Sequence, residues 1–134
     1  MVNTLTRSPQ CYTQGLEWDE SRGLLYQSCG IYGKSSLQLV KLEKGTATVV
    51  KETRLRRKYF AEGITRYKDE ILMLTWREKE ILIFDAGTLA LKRTAPLRTT
   101  NGEGWGLTQD LGEKMGQTVL VFASTRGHKL YVQT

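Results

Sequence analysis

Phe60-Ala61-Glu62-Gly63-Ile64-Thr65 has two counterparts in the chain, Tyr12-Thr13-Gln14-Gly15-Leu16 and Trp105-Gly106-Leu107-Thr108. Gln14 lies 48 residues before Glu62, and Trp105 lies 43 after it. Each stretch leads through a polar turn into an apolar strand: Leu24-Leu25-Tyr26 in the first, Ile71-Leu72-Met73-Leu74 in the second and Val119-Leu120-Val121 in the third. A further strand then ends near a Gly-Thr pair, Gly45-Thr46 in the first unit and Gly87-Thr88 in the second, 42 residues apart. A period in the forties with about four strands per unit is the signature of β-propeller blades. A sandwich with coincidentally regular spacing is the competing arrangement.

Around these anchors the chain reads as all-β. Gly23–Ser28, Ser36–Leu42, Thr46–Val50, Glu70–Thr75, Ile81–Phe84 and Val119–Ala123 are short aliphatic, aromatic and β-branched runs, and helical periodicity is hard to find. Asp19–Gly23, Glu43–Gly45, Lys68–Glu70 and Asp85–Gly87 supply the turns. At this period the 134 residues amount to roughly two and a half blades, one partial propeller domain over 1–134 with units beginning near 14, 62 and 105. The innermost strand of each blade starts at one mouth of the central channel, so the residues beside the three glycines should converge there. They are Tyr12, Gln14, Phe60, Glu62, Glu103 and Trp105, aromatic walls with a few polar groups, which is the composition of a binding site.

Composition narrows the alternatives. With 40% hydrophobic and 25% charged residues the chain suits a soluble domain with a modest core, and collagen, disorder and a disulfide scaffold are excluded. No run approaches the roughly 18 apolar residues of a membrane-spanning helix, and Met1–Gln10 lack the apolar centre of a secretory leader, so the compartment stays open. The net charge of +6 gathers in Lys51, Arg54, Arg56, Arg57 and Lys58. A nucleic-acid groove is one reading of that cluster; a solvated loop or edge is preferred, since no nucleic-acid motif accompanies it. Cys11 and Cys29 do not form a C-x-x-C pair and are expected as free, buried thiols, with a disulfide as the alternative. His128 is the only imidazole and stands in a Gly-rich turn, so neither a zinc site nor a Ser-His-Asp site is expected.

Five linked motifs carry a resemblance. Tyr12–Leu16, Leu25–Leu37, Phe60–Thr65, Leu74-Thr75-Trp76 and Gly102–Thr108 resemble, in order and spacing from about Gln10 to Asp110, the plant and bacterial type of glutaminyl-peptide cyclotransferase. The resemblance implies a five-bladed propeller without metal or other cofactor. It also implies an ammonia-releasing acyl transfer that turns the N-terminal glutamine of peptides or proteins into pyroglutamate. Glu62 is then the catalytic carboxylate, and Gln14, Phe60, Trp76 and Trp105 line the substrate pocket. Tyr12, also a substrate-binding residue by this resemblance, stands where the family usually has Phe and keeps an aromatic wall while adding a hydroxyl; Cys29 stands where the family has a small Thr-like residue.

The chemistry fits these residue types. The α-amine must attack its own side-chain carboxamide, and a desolvated carboxylate can take a proton from one nitrogen and return it to the other. Gln14 and the Trp105 indole N–H are candidate oxyanion donors. Each residue also has a structural reading: Trp76 and Trp105 as packing between blades, Glu62 and Glu103 as acceptors at tight Gly turns, Gln14 as a polar bridge, and Trp18 as a rim residue in the first turn. The Gly102-x-Gly104-x-Gly106 run is not a dinucleotide fingerprint, because Leu107 replaces the third glycine.

The tail departs from the family's pattern, with a long turn at Leu111–Gln117 and Ala123–His128 in place of a Ser-Asp-Gly-like bend, before a strand resumes at Lys129–Val132. An open ring has two readings: a fragment, or two copies pairing to close the propeller. The alternative to an enzyme is an inactive remnant that serves as a peptide-binding or scaffold module.

Overall fold

A computed structural model describes residues 3–111, 118–124 and 129–133. Eleven strands and no helix occur among the described residues. β1 (Tyr12–Asp19), β2 (Leu24–Gly30), β3 (Ser36–Glu43) and β4 (Thr46–Arg54) form one antiparallel meander. β5 (Ala61–Tyr67), β6 (Glu70–Thr75), β7 (Glu80–Asp85) and β8 (Leu91–Pro96) form a second, and β9 (Leu107–Leu111), β10 (Thr118–Ala123) and β11 (Leu130–Gln133) a third. These are blades of a partial β-propeller, each beginning with one of the three repeated motifs. The strand β8 carries too few apolar residues to be read from the sequence, because it is an exposed outer edge.

Packing explains the hydrophobic pattern. In β7 alternate residues face opposite ways: Leu82 and Phe84 join Tyr26, Leu37 and Leu39 in the core between the first two sheets, while Ile81 and Ile83 join Phe122 and Leu97 in the core beside the third. A sheet covered on both faces needs an unbroken apolar run, which Ile81-Leu82-Ile83-Phe84 supplies. The first sheet is covered on one face only, and Leu16, Leu42 and Val49 are exposed on it. Trp18 lies within β1 rather than in the turn after it, half-exposed, its indole donating to Glu20.

The inner strands approach one another backbone to backbone. A side-chain carbon at Gly15 would lie 2.7 Å from the Ile64 amide nitrogen, and one at Gly63 would lie 2.6 Å from both the Leu107 nitrogen and the Trp105 carbonyl oxygen. Only glycine fits such contacts. Gly106, the third member of the repeat, has open space around it.

At the far end of β1, Asp19 ties the first two blades together. Its carboxylate, fully buried, pairs with Arg22 at 2.9 Å and with Arg66 of β5 at 2.7 Å, and accepts from the Ser21 hydroxyl at 2.6 Å. Arg22 and the Tyr26 hydroxyl both donate to the Ala86 carbonyl in the second blade. Burial alone would raise the Asp19 pKa, but the Ser21 and Arg22 hydrogen bonds and the Arg66 charge outweigh it and hold the group well below the usual carboxylate range.

The cysteines depart from expectation: Cys11 and Cys29 form a disulfide. Antiparallel pairing of β1 with β2 sets Thr13 opposite Cys29 and Tyr12 opposite Gly30, which brings the Cys11 and Cys29 Cα atoms to 5.0 Å. Closing a loop of this size stabilises a fold by about 3 kcal/mol, and such bonds persist in oxidising surroundings. His128 and the long turn after Leu111 lie outside the described residues.

Two outcomes follow. Gly63→Ala is expected to cost more than about 2 kcal/mol in urea unfolding, because backbone atoms block the added carbon, whereas Gly106→Ala is expected to stay within about 0.5 kcal/mol. Asp19→Ala is expected to cost roughly 2 kcal/mol at neutral pH, because the partly exposed Arg22 and Arg66 guanidiniums and the Ser21 hydroxyl lose their shared acceptor. Since the folded pKa is depressed, that stabilisation is present above the ordinary value of 3.8 and should fade in wild type as the pH falls below it.

Candidate functional site

The first strands of the first two blades are interrupted where their motifs place a polar residue before glycine. The register of β1 against β2 slips between Thr13 and Gly15, leaving Gln14 unpaired, and that of β5 against β6 slips between Ala61 and Ile64, leaving Glu62 and Gly63 unpaired. Such bulges turn side chains out of the pleat and free backbone groups from the ladder. The freed groups at Glu62–Gly63 are taken up by the neighbouring blades: the Ser28 hydroxyl donates to the Glu62 carbonyl at 2.6 Å, and the Gly63 N–H donates to the Trp105 carbonyl at 2.8 Å.

Antiparallel alternation returns several connections to this end of the sheets. The β2–β3 turn, the β4–β5 connection, the β6–β7 turn and the β8–β9 connection all border the starts of the inner strands. They deliver a chain of rings. Tyr32 stands edge-on to Phe60 with centroids 5.3 Å apart, Phe60 to Trp76 at 5.4 Å, and Trp76 to Trp105 at 6.3 Å. Gln14 and the Phe60 ring lie together over Gly30, whose added carbon would meet the ring at 2.6 Å and Gln14 Cγ at 3.0 Å.

Glu62 is 3% exposed. No hydrogen bond to its carboxylate occurs among the described residues, and its pKa is pushed up to about 7, first by burial and then by the charges of Glu78 and Glu103. Both neighbours are held in place. Glu78 accepts the Phe60 N–H at 2.7 Å and the Arg77 N–H at 2.6 Å, so one carboxylate binds the β4–β5 connection to the β6–β7 turn. Glu103 accepts from the Trp105 indole at 3.3 Å and pairs with Arg77 at 3.5 Å, while the Arg77 guanidinium lies 4.0 Å over the Trp76 ring. Burial, and next the charge of Glu78, push the Tyr32 phenol up as well.

Phe60, Glu62, Trp76, Glu103, Trp105 and Gln14 thus meet at one mouth. Tyr12 begins β1 opposite Gly30 but is 59% exposed, and no ring contact joins it to the cluster among the described residues. The Trp105 indole already donates to Glu103, whereas the Trp76 Nε1 is buried with no partner among the described residues. Tyr32, Arg77 and Glu78 escaped sequence reasoning as site residues. The signal for them was topological: in a meander, the turn after the second strand returns to the mouth where the first began. Among the described residues no group of three or more His, Cys, Asp or Glu side chains is arranged to hold a metal ion.

Glu62 is thus a buried acid at the bulge of an inner propeller strand, without a hydrogen-bond partner among the described residues, at the same mouth as a chain of aromatic rings, and such a group can exchange a proton near neutral pH. The chain matches the glutamine cyclotransferase family over residues 1–122 and belongs to it. It is 28% identical over 110 residues to a glutaminyl-peptide cyclotransferase of Arabidopsis thaliana, covering 82% of this chain and 33% of that protein. It superposes on the glutaminyl cyclase of Myxococcus xanthus with a TM-score of 0.67 and 25% identity, covering 97% of this chain and 53% of that one. The PQQ-bound aldose sugar dehydrogenase of Streptomyces coelicolor shares the fold alone, with a TM-score of 0.58 and 17% identity over 90% of this chain and 42% of that one. The chain therefore spans about one third of the plant relative and about half of the Myxococcus structure.

Replacing Glu78 by Gln removes a negative charge while its carbonyl oxygen can still accept a backbone N–H. The Glu62 titration midpoint, followed by carboxyl carbon NMR, is expected to fall below 7 yet stay above 4.5, because burial remains. An unmoved midpoint would mean that Glu78 does not act on Glu62.

Proposed function

We propose that the chain carries the proton-transfer site of a glutaminyl-peptide cyclotransferase, which converts an N-terminal glutamine of a peptide to pyroglutamate with release of ammonia. The observation that supports it best is Glu62: buried, without a hydrogen-bond partner among the described residues, and with its pKa pushed up to about 7 by burial and the charges of Glu78 and Glu103. General acid–base groups work best with a pKa near the operating pH.

The reaction needs one group to move a proton between two nitrogens. The neutral α-amine attacks the side-chain amide carbon, a carbon–nitrogen bond forms, and the ionised Glu62 takes the proton that the attacking nitrogen sheds. The protonated Glu62 then gives it to the amide nitrogen, the old carbon–nitrogen bond breaks, and ammonia leaves. The flat faces of Phe60, Trp76 and Trp105 fold the glutamine side chain back toward its own amine, so that ring closure gains from orientation. The unpaired Trp76 N–H and the Gln14 amide are the donors best placed to meet the developing oxyanion. Tyr12, exposed at the start of β1, contributes at most to the outer wall.

A second reading is a module that binds peptides without turnover. Incubation with a glutamine-initiated peptide, followed by mass spectrometry for the loss of ammonia, decides between them. Turnover by wild type that drops by about 10²- to 10⁴-fold in Glu62→Gln is the expected outcome; a folded but inactive wild type supports the binding module.

Stability gives an independent check on Glu62. Its raised pKa means that the folded state is fully favoured below 4.5 and loses stability as the pH rises to about 7, by roughly 3 kcal/mol. Glu62→Gln is therefore expected to be more stable than wild type at pH 8, with the gap closing below pH 4.5. A variant less stable than wild type at pH 8 would assign Glu62 a structural role.

A further inference from the structure

The basic cluster that the proposed chemistry does not use borders the same mouth. Arg56, Arg57 and Lys58 lie in the β4–β5 connection, just before Tyr59 and Phe60. That connection is stitched to the β2–β3 turn through Ser35: the Leu55 N–H donates to the Ser35 carbonyl at 2.9 Å, and the Ala61 N–H to the Ser35 hydroxyl at 3.1 Å. Lys34 is the residue before Ser35, and the Arg57 guanidinium comes within 3.8 Å of where a side-chain carbon at Gly33 would sit. Gly33 and Lys34 directly follow Tyr32, the outermost ring of the aromatic chain, in the β2–β3 turn.

Some of these cations are already engaged. Lys58 pairs with Glu80 at 3.8 Å and lies over the Tyr59 ring, and Arg54 pairs with Glu52 at 3.1 Å. Lys34, Arg56 and Arg57 are exposed, and no ion pair involves them among the described residues. The mouth thus has an acidic floor of Glu62, Glu78 and Glu103 and, on the Tyr32 side, a rim of unpaired positive charge.

We propose that Lys34, Arg56 and Arg57 form a subsite for the residues that follow the N-terminal glutamine, and that it selects peptides with Asp or Glu at the second to fourth positions. The proposal rests on the reading of the pocket as a glutamine site. An extended peptide advances about 3.3 Å per residue, so the residues after one seated among the rings pass over this rim. The acidic floor draws the amino terminus inward while the rim draws the acidic side chains, so one orientation of the peptide satisfies both.

The test is equilibrium binding, read by tryptophan fluorescence, of glutamine-initiated hexapeptides that carry either Asp or Lys at positions three and four. The Asp peptide is expected to bind wild type about fivefold tighter in 20 mM salt, with the difference nearly gone at 0.5 M. In the Arg56→Glu/Arg57→Glu double variant, checked for unchanged circular dichroism, the preference should invert. Equal affinities, no binding of either peptide, or a preference untouched by the charge reversal would overturn the subsite. An alanine-initiated Asp peptide separates the two claims. If it binds as tightly as its glutamine counterpart, the rim stands and the glutamine reading of the pocket falls.

Discussion

The site depends on how two residues of backbone, Glu62 and Gly63, are held from both sides. Their bulge removes them from the ladder of their own blade, and an unpaired amide or carbonyl inside a protein is costly. The Ser28 hydroxyl of the first blade and the Trp105 carbonyl of the third unit supply the missing partners. This works only because Gly15 and Gly63 let the inner strands close to backbone contact. Convergence of the three motifs is therefore a product of inter-blade hydrogen bonding, and the side chains at the mouth inherit their positions from it.

Two buried carboxylates show what that geometry does to charge. Asp19 and Glu62 sit near opposite ends of adjacent inner strands, and both are almost wholly withdrawn from water. Asp19 is surrounded by Arg22, Arg66 and Ser21 and stays ionised, joining blades as a structural clasp. Glu62 feels two like charges and finds no donor among the described residues, so its proton is held to about neutrality. The difference lies in the partners and not in the depth of burial. A protein that keeps an acid in such a place gives up stability there, as is common where a strained or unpaired group serves chemistry.

Much of this was legible in the chain. The repeated Gly-aliphatic motif marked the inner strands, and unbroken apolar runs such as Ile81–Phe84 marked a sheet covered on both faces. The motif order around Glu62 and Trp105 pointed to the family. The disulfide was not legible, because Cys11 and Cys29 become neighbours only through the β1–β2 register. Glu78 was equally hidden: in the sequence it is one acid in a charged turn, Arg77-Glu78-Lys79-Glu80, and nothing local says that it caps the Phe60 and Arg77 amides. Tyr32 belonged to a recognised motif without a visible reason to face the rings.

The sequence by itself determined the strands, their repeat and the identity of the central acid, since periodicity, turn residues and motif are properties of neighbours along the chain. Only the tertiary structure decided that the acid has no hydrogen-bond partner among the described residues and feels the charges of Glu78 and Glu103, that Trp105 gives its N–H to Glu103 while the Trp76 Nε1 has no partner among the described residues, and that Arg57 reaches Gly33 in the turn after Tyr32. The charges of Glu78 and Glu103 at Glu62, and the approach of Arg57 to Gly33, join segments well separated along the chain. Such contacts are fixed by the close packing of one blade on the next, a constraint that local sequence does not encode.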